Sequence, residues 1–309
     1  MTPPTREGTV AFDAPGSNKP TNTWYKIVGD LASYPGPALV ALHGGPGAGH
    51  EYLSSHTDLY HRHGIPIIYY DQVGCGRSTH FKEKLGDASF WTPDLFIREL
   101  DNLVDHLRLR DNGFFLLGHS WGGILGGIYA SLRPKGLKKI ILSGAPSSVP
   151  LLARGLRELL AALPDETCAT LEECDRKGDH ESPDFEAAAK VFNDRHLCRL
   201  DPYPDDVSSG LNNLREDPTS YLTMKGPSEF TLVGAFKDWA GWEEGGNIEV
   251  ETLLLNGQYD EVTDLCVRPW FSSIPKVKWV TIENASHMTH WEQRERYMQL
   301  VAGFLFPSS

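Results

Sequence analysis

Ser120 stands between Gly118 and Gly122 in the stretch LLGHSWGGILGG, residues 116–127. This is the spacing of G-x-S-x-G, a sharp turn from strand to helix that presents a serine hydroxyl as a nucleophile. Such a turn holds the serine in a strained backbone conformation, and larger side chains at the flanking positions would collide with it. The plainer reading is a serine in a glycine-rich turn, capping a helix. Context favours the nucleophile: GFFLLGH before it reads as a short buried strand, and GGILGGIYASLRP after it as a helix stopped by Pro134. The chemistry would be acyl transfer through an acyl-enzyme.

A serine hydroxyl is a weak nucleophile and needs a base that is itself oriented by a carboxylate. In open parallel sheets such groups sit in loops after the carboxyl ends of strands, which narrows the choice among twelve histidines. VKWVTIENASHMTHW places a strand end near Glu283 and His287 in the loop beyond it, with His290 as the rival at the start of a helix. VETLLLNGQYDEVT runs from a buried strand into a turn and sets Asp260 just past its end, with Asp264 further away. Ser120, Asp260 and His287 then follow one another in the chain order of the α/β-hydrolase triad. His287 as base predicts a rising pH limb near about pH 6 to 7.

The developing oxyanion needs two backbone N–H donors. Trp121, after the nucleophile, supplies one. The loop ALHGGPGAGH supplies the other through Gly45, with Gly44 as the alternative. DQVGCGRS, 71–78, reads as a structural loop bracing the site; Cys75 within it has no base beside it and is not a nucleophile.

Short apolar runs alternate with helix-like stretches through the first half of the chain. PALVALHGG, IPIIYYDQ, NGFFLLGHS and LKKIILSGAP read as strands, and DLFIRELDNLVDHLRL as an amphipathic helix. That alternation predicts an α/β fold with a mostly parallel sheet covered by helices on both faces. From residue 148 to 245 long apolar strands are missing and helical patterns such as VPLLARGLRELLAAL take over. Strands return at VETLLLNG and VKWVTIENA, before a closing helix WEQRERYMQLVAGFLF. The organisation is one core, 1–147 and 246–309, interrupted by a helical cap at 148–245.

A net charge of −12 argues against nucleic acid and against an anionic membrane surface. No apolar run approaches the roughly 18 residues needed to span a bilayer. The first residues lack the apolar core of a secretory signal. Five scattered cysteines show no metal-ligand spacing and fit a reducing, cytoplasmic setting. Neither a metal nor a cofactor is expected.

HGGPG, DQ-x-G-C-G-R-S, G-H-S-W-G-G and G-x-x-D-E-V-T with a late histidine together resemble the proline iminopeptidase family of serine peptidases. The nearest branch contains the tricorn-interacting aminopeptidase and the L-amino-acid amidases, which also carry GPSEF, here Gly226 to Phe230. The resemblance implies an α/β-hydrolase fold, an acylated serine and a cap over the pocket. It also implies carboxylates that hold the substrate's free α-amino group: Glu229 in GPSEF and Glu261 directly after the acid. Tyr221 matches an active-site tyrosine of the family.

A bound ammonium needs an opposing charge in a desolvated pocket, and an Arg or Lys bridging the same carboxylates would defeat the purpose. The nearest basic residue is Lys225, four positions before Glu229. Trp239, Trp242 and Trp270 are candidates to line a pocket for a proline ring or bulky side chain, against the plainer role of core aromatics. The expected activity is release of an N-terminal residue from a short peptide, or hydrolysis of an amino-acid amide. The alternatives are an esterase or lactonase with the same triad and no amine anchor, and a non-catalytic receptor.

Overall fold

The apolar runs become strands of a single sheet. The computed structural model describes residues 3–306, so the outermost residues of the two core segments lie outside it. In chain order the strands are β1 (Thr5–Ala11), β2 (Asn22–Val28), β3 (Ala38–Leu42), β4 (Ile67–Asp71), β5 (Phe114–His119), β6 (Leu137–Ser143), β7 (Glu251–Gly257) and β8 (Val277–Ile282). They lie side by side as β1-β2-β4-β3-β5-β6-β7-β8. β1 pairs antiparallel with β2, and β2 with β4. Every other pair is parallel.

Both faces of the central strands are buried, which is why they read as unbroken apolar runs. β5 turns Phe114 and Leu116 into one core and Phe115 and Leu117 into the other. β1 and β2 have no such run in the sequence and were not anticipated. β1 is a mostly exposed edge strand with only Val10 buried, so burial leaves little apolar signature there.

Between β6 and β7 the chain adds no strand to the sheet. Helices Val149–Leu160, Asp165–Lys177, Pro183–His196, Asp205–Glu216, Thr219–Met224 and Trp242–Gly245 occupy the interval. A single bridge between Ser148 and Ala240 ties its two ends together. Asp205–Glu216 lies over the loop after β3: Asn213 Nδ2 donates to Ala48 O and to Glu51 Oε2, both at 3.0 Å. The closing helix is broken in two, Thr289–Glu292 and Arg294–Leu305, at the non-helical residue Gln293.

Candidate active site

β3, β5, β6, β7 and β8 are consecutive neighbours, so the loops at their carboxyl ends form one continuous rim. Gly44 and Gly45 follow β3, Ser120 follows β5, Gly144 follows β6, Asp260 and Glu261 follow β7, and His287 follows β8. Five separate stretches of sequence converge by topology alone.

Ser120 adopts φ 56° and ψ −123°, a conformation non-glycine residues rarely take. Its N–H donates to Ser143 O at 2.9 Å, and its carbonyl accepts from Gly123 and Ile124 N–H as the helix Trp121–Ser131 begins. A Cβ at Gly122 would strike the backbone of Leu42 and His43, and one at Gly118 would strike Gly122. The flanking glycines are therefore required by the close pass of β5, the turn and β3.

His287 Nδ1–H donates to Asp260 Oδ1 at 2.8 Å, with both groups buried. Asp260 is fixed by Val262 N–H on Oδ1 at 2.8 Å and by Gly257 N–H on Oδ2 at 3.3 Å. The alternatives are occupied elsewhere. Asp264 accepts from Asn256 Nδ2 at 3.0 Å, and His290 Nε2 reaches Tyr52 O at 3.1 Å. Cys75 is buried, which pushes its thiol pKa well up, so it is no ready thiolate.

Of the two glycines after β3, Gly44 donates its N–H to the Tyr52 hydroxyl at 2.7 Å. That removes Gly44 as an oxyanion donor. Gly45 and Trp121 line the cavity beside Ser120, and among the described residues neither N–H meets a protein acceptor. Trp121 is held from behind, its indole donating to Gln72 Oε1 at 2.9 Å. Gln72 N–H in turn donates to His43 Nε2 at 2.9 Å, so DQVGCGRS does brace the site.

The Tyr52 hydroxyl, having accepted from Gly44, must donate to His119 Nδ1 at 3.0 Å. His119 Nε2–H then donates to the carbonyl of His287 at 2.9 Å. The carbonyl of His196, at the end of helix Pro183–His196, accepts from the N–H groups of both Glu261 and His287, at 3.2 and 3.1 Å. Sequence reading did not find these supports. The histidine of G-H-S was visible, but its partners are far away in the chain.

Gly144 was also missed. It has φ +52°, and a Cβ there would lie 2.9 Å from His287 Cε1 and Nδ1. Gly144→Ala should push the imidazole off Asp260 and lower kcat/KM by about 100-fold, since misplacement near 1 Å has that effect. An unchanged far-UV circular dichroism spectrum with that loss supports the assignment; full activity refutes it.

Two cavities meet at Ser120. One is mainly apolar, walled by Trp121, Ile124, Val149, Leu152, Leu232 and Phe236. The other holds Tyr52, Leu214, Glu229, His287 and Met288, and Glu261 and Lys225 line both. None of the three tryptophans singled out from sequence lines either cavity. Trp270 is fully buried beside Trp239, which stacks on Phe236.

Glu229 does not stand alone, contrary to expectation. Lys225 Nζ forms an ion pair with its Oε2, and the Tyr221 hydroxyl donates to its Oε1. The i, i+4 spacing was in view, but whether the lysine turned inward was not. Burial works against the Glu229 charge, yet Lys225 prevails and holds the carboxyl below its ordinary value. Glu261 is 4% exposed, and burial together with the charge of Glu229 pushes its carboxyl up to about 7.

Burial disfavours a charged His287, but Asp260, Glu261 and Glu229 outweigh it and push its pKa up to about 9. These carboxylates place the expected limb above the one read from the sequence. The base must be neutral, so kcat/KM should climb as pH rises through an unusually alkaline limb. Glu261→Gln removes a negative charge beside the imidazolium and should move that limb about one pH unit toward acid. p-Nitrophenyl acetate, which has no titrating group in this range, reports it. A limb at ordinary histidine pH that ignores Glu261→Gln contradicts the electrostatic account.

Residues 37–293 match the α/β hydrolase fold family. The proline iminopeptidase of Saccharolobus solfataricus is 37% identical over 267 residues, 86% of this chain and 84% of that one. The chain belongs to the proline iminopeptidase family. Among solved structures, VinJ is similar with a TM-score of 0.92 and 38% identity, covering 98% of this chain and 99% of its own. The proline iminopeptidase of Mycobacterium smegmatis gives 0.87 and 34%, covering 96% and 97%. As a member of this family of α/β-hydrolases the chain is a hydrolytic enzyme. Among the described residues no helix is long and apolar enough to cross a membrane.

Proposed function

We propose that this enzyme releases an N-terminal amino acid, proline or another apolar residue, from short peptides or amino-acid amides. Ser120 Oγ attacks the carbonyl carbon as His287 Nε2 takes its proton. Asp260 holds the ring in the tautomer with Nε2 free and stabilises the imidazolium. Gly45 and Trp121 N–H groups receive the oxyanion. The imidazolium protonates the leaving amine, and water then enters by the same base to hydrolyse the acyl-enzyme. The segment 148–245 acts as a cap: it carries Tyr221 on helix Thr219–Met224 and Glu229 in the loop after it, and it closes the apolar cavity in which a proline ring or aliphatic side chain would sit. A reducing, cytoplasmic location suits the five free cysteines.

The observation carrying this reading is the pair of carboxylates, partly buried Glu229 and buried Glu261, on the cavity wall beside Ser120. An esterase has no need of buried negative charge there, and the proline iminopeptidase relatives weigh against it. A panel of prolyl, leucyl and alanyl p-nitroanilides, each free and N-acetylated, tests the proposal. Strong preference for the free amine is expected. Equal turnover of capped and free substrates would put the esterase reading in front.

A further inference from the structure

Lys225 is the only lysine or arginine among the described residues that line the two cavities meeting at Ser120. Its ammonium pairs with one oxygen of Glu229 while Tyr221 donates to the other, so that carboxylate is matched before any substrate arrives. Glu261 is in the opposite condition. Its Oε2 is buried with no hydrogen-bond partner, and its Oε1 lies 3.7 Å from His287 Nε2. A buried carboxylate oxygen without a donor is costly, and a ligand ammonium would relieve it.

We infer that Lys225 is a built-in counter-cation on Glu229, which leaves Glu261 as the carboxylate receiving the substrate's α-ammonium. The inference rests on the proposed aminopeptidase or amidase reading. Two carboxylates, one lysine and one incoming ammonium balance to zero net charge. Without the lysine, one ammonium would face two negative charges on the cavity wall, one of them buried. The pairing also restrains Lys225: it lines both cavities together with Glu261, and its charge already acts on that carboxyl, so released from Glu229 its ammonium would compete for Glu261.

That competition yields a result a simple two-glutamate clamp does not. Glu229→Gln should reduce the ratio of kcat/KM on free against N-acetylated leucyl p-nitroanilide by at least about tenfold, because the unpaired Lys225 turns to Glu261. Lys225→Met placed on top of Glu229→Gln should restore the ratio to within a few-fold of the parent. Taking the ratio within one variant cancels any difference in active fraction. If the double variant does not fold, Lys225→Met alone decides, with a ratio equal to or above the parent's.

A double variant no better than Glu229→Gln, or a Lys225→Met ratio as low as that of Glu229→Gln, would overturn the inference while leaving amine recognition intact. A parent ratio near one would overturn the aminopeptidase reading, and the inference with it. Rescue by the double variant would establish Lys225 as the competitor.

Discussion

Ser120→Ala should abolish labelling by a fluorophosphonate and lower turnover of free-amine anilides by roughly five to six orders of magnitude. What remains would come from binding and the Gly45 and Trp121 donors. The loss follows from geometry: Ser120 alone projects from the strained elbow onto the cavity, and the neighbouring Cys75 thiol is buried. Asp260→Asn should cost about 10⁴-fold, because an amide on Nδ1 no longer selects the tautomer that leaves Nε2 free to accept. Asp264→Asn should be mild, since its carboxylate holds Asn256 and not His287. Full activity in Ser120→Ala would sink the triad, and the reverse order of the two aspartates would move the acid.

The second large effect lies at the substrate amine. Removing one member of a buried, charge-assisted pair costs roughly 2–5 kcal/mol, or about 30- to 4,000-fold in kcat/KM. Glu261→Gln should show that loss on free-amine anilides, and so should acetylation of the substrate in the parent enzyme. The two changes together should add little beyond either, as both break the same contact. Additive losses in that cycle would place the ammonium elsewhere.

The parts of this fold written in local pattern were legible. β3 to β7 are buried along most of their length and so read as apolar runs, and the glycines around Ser120 mark a turn that only glycine fits. Distance past the strand end favours Asp260 over Asp264, and a place in the loop before the last helix favours His287 over His290; in the structure His287 bonds Asp260, while Asp264 and His290 bond elsewhere. What escaped depends on contacts between distant segments. His196 fastens two loops through a carbonyl, and every residue has one. Gly144 matters for what lies above it. The Lys225–Glu229 pair turns on the direction of one flexible side chain, which spacing does not fix. β1 escaped for a different reason, having little buried surface to record.

The relay from Gly44 through Tyr52 and His119 to the carbonyl of His287 has a consequence for divergence. Each donor in it is committed in one direction, so losing any member strands a buried polar partner. The loop that would hold the oxyanion and the loop that carries the base are therefore heritable as a unit. Tyr52 and His119 are epistatic positions: a replacement at one changes which residues are tolerated at the other. A homologue that has exchanged one of them must have rebuilt the strut, and its two loops will have moved together.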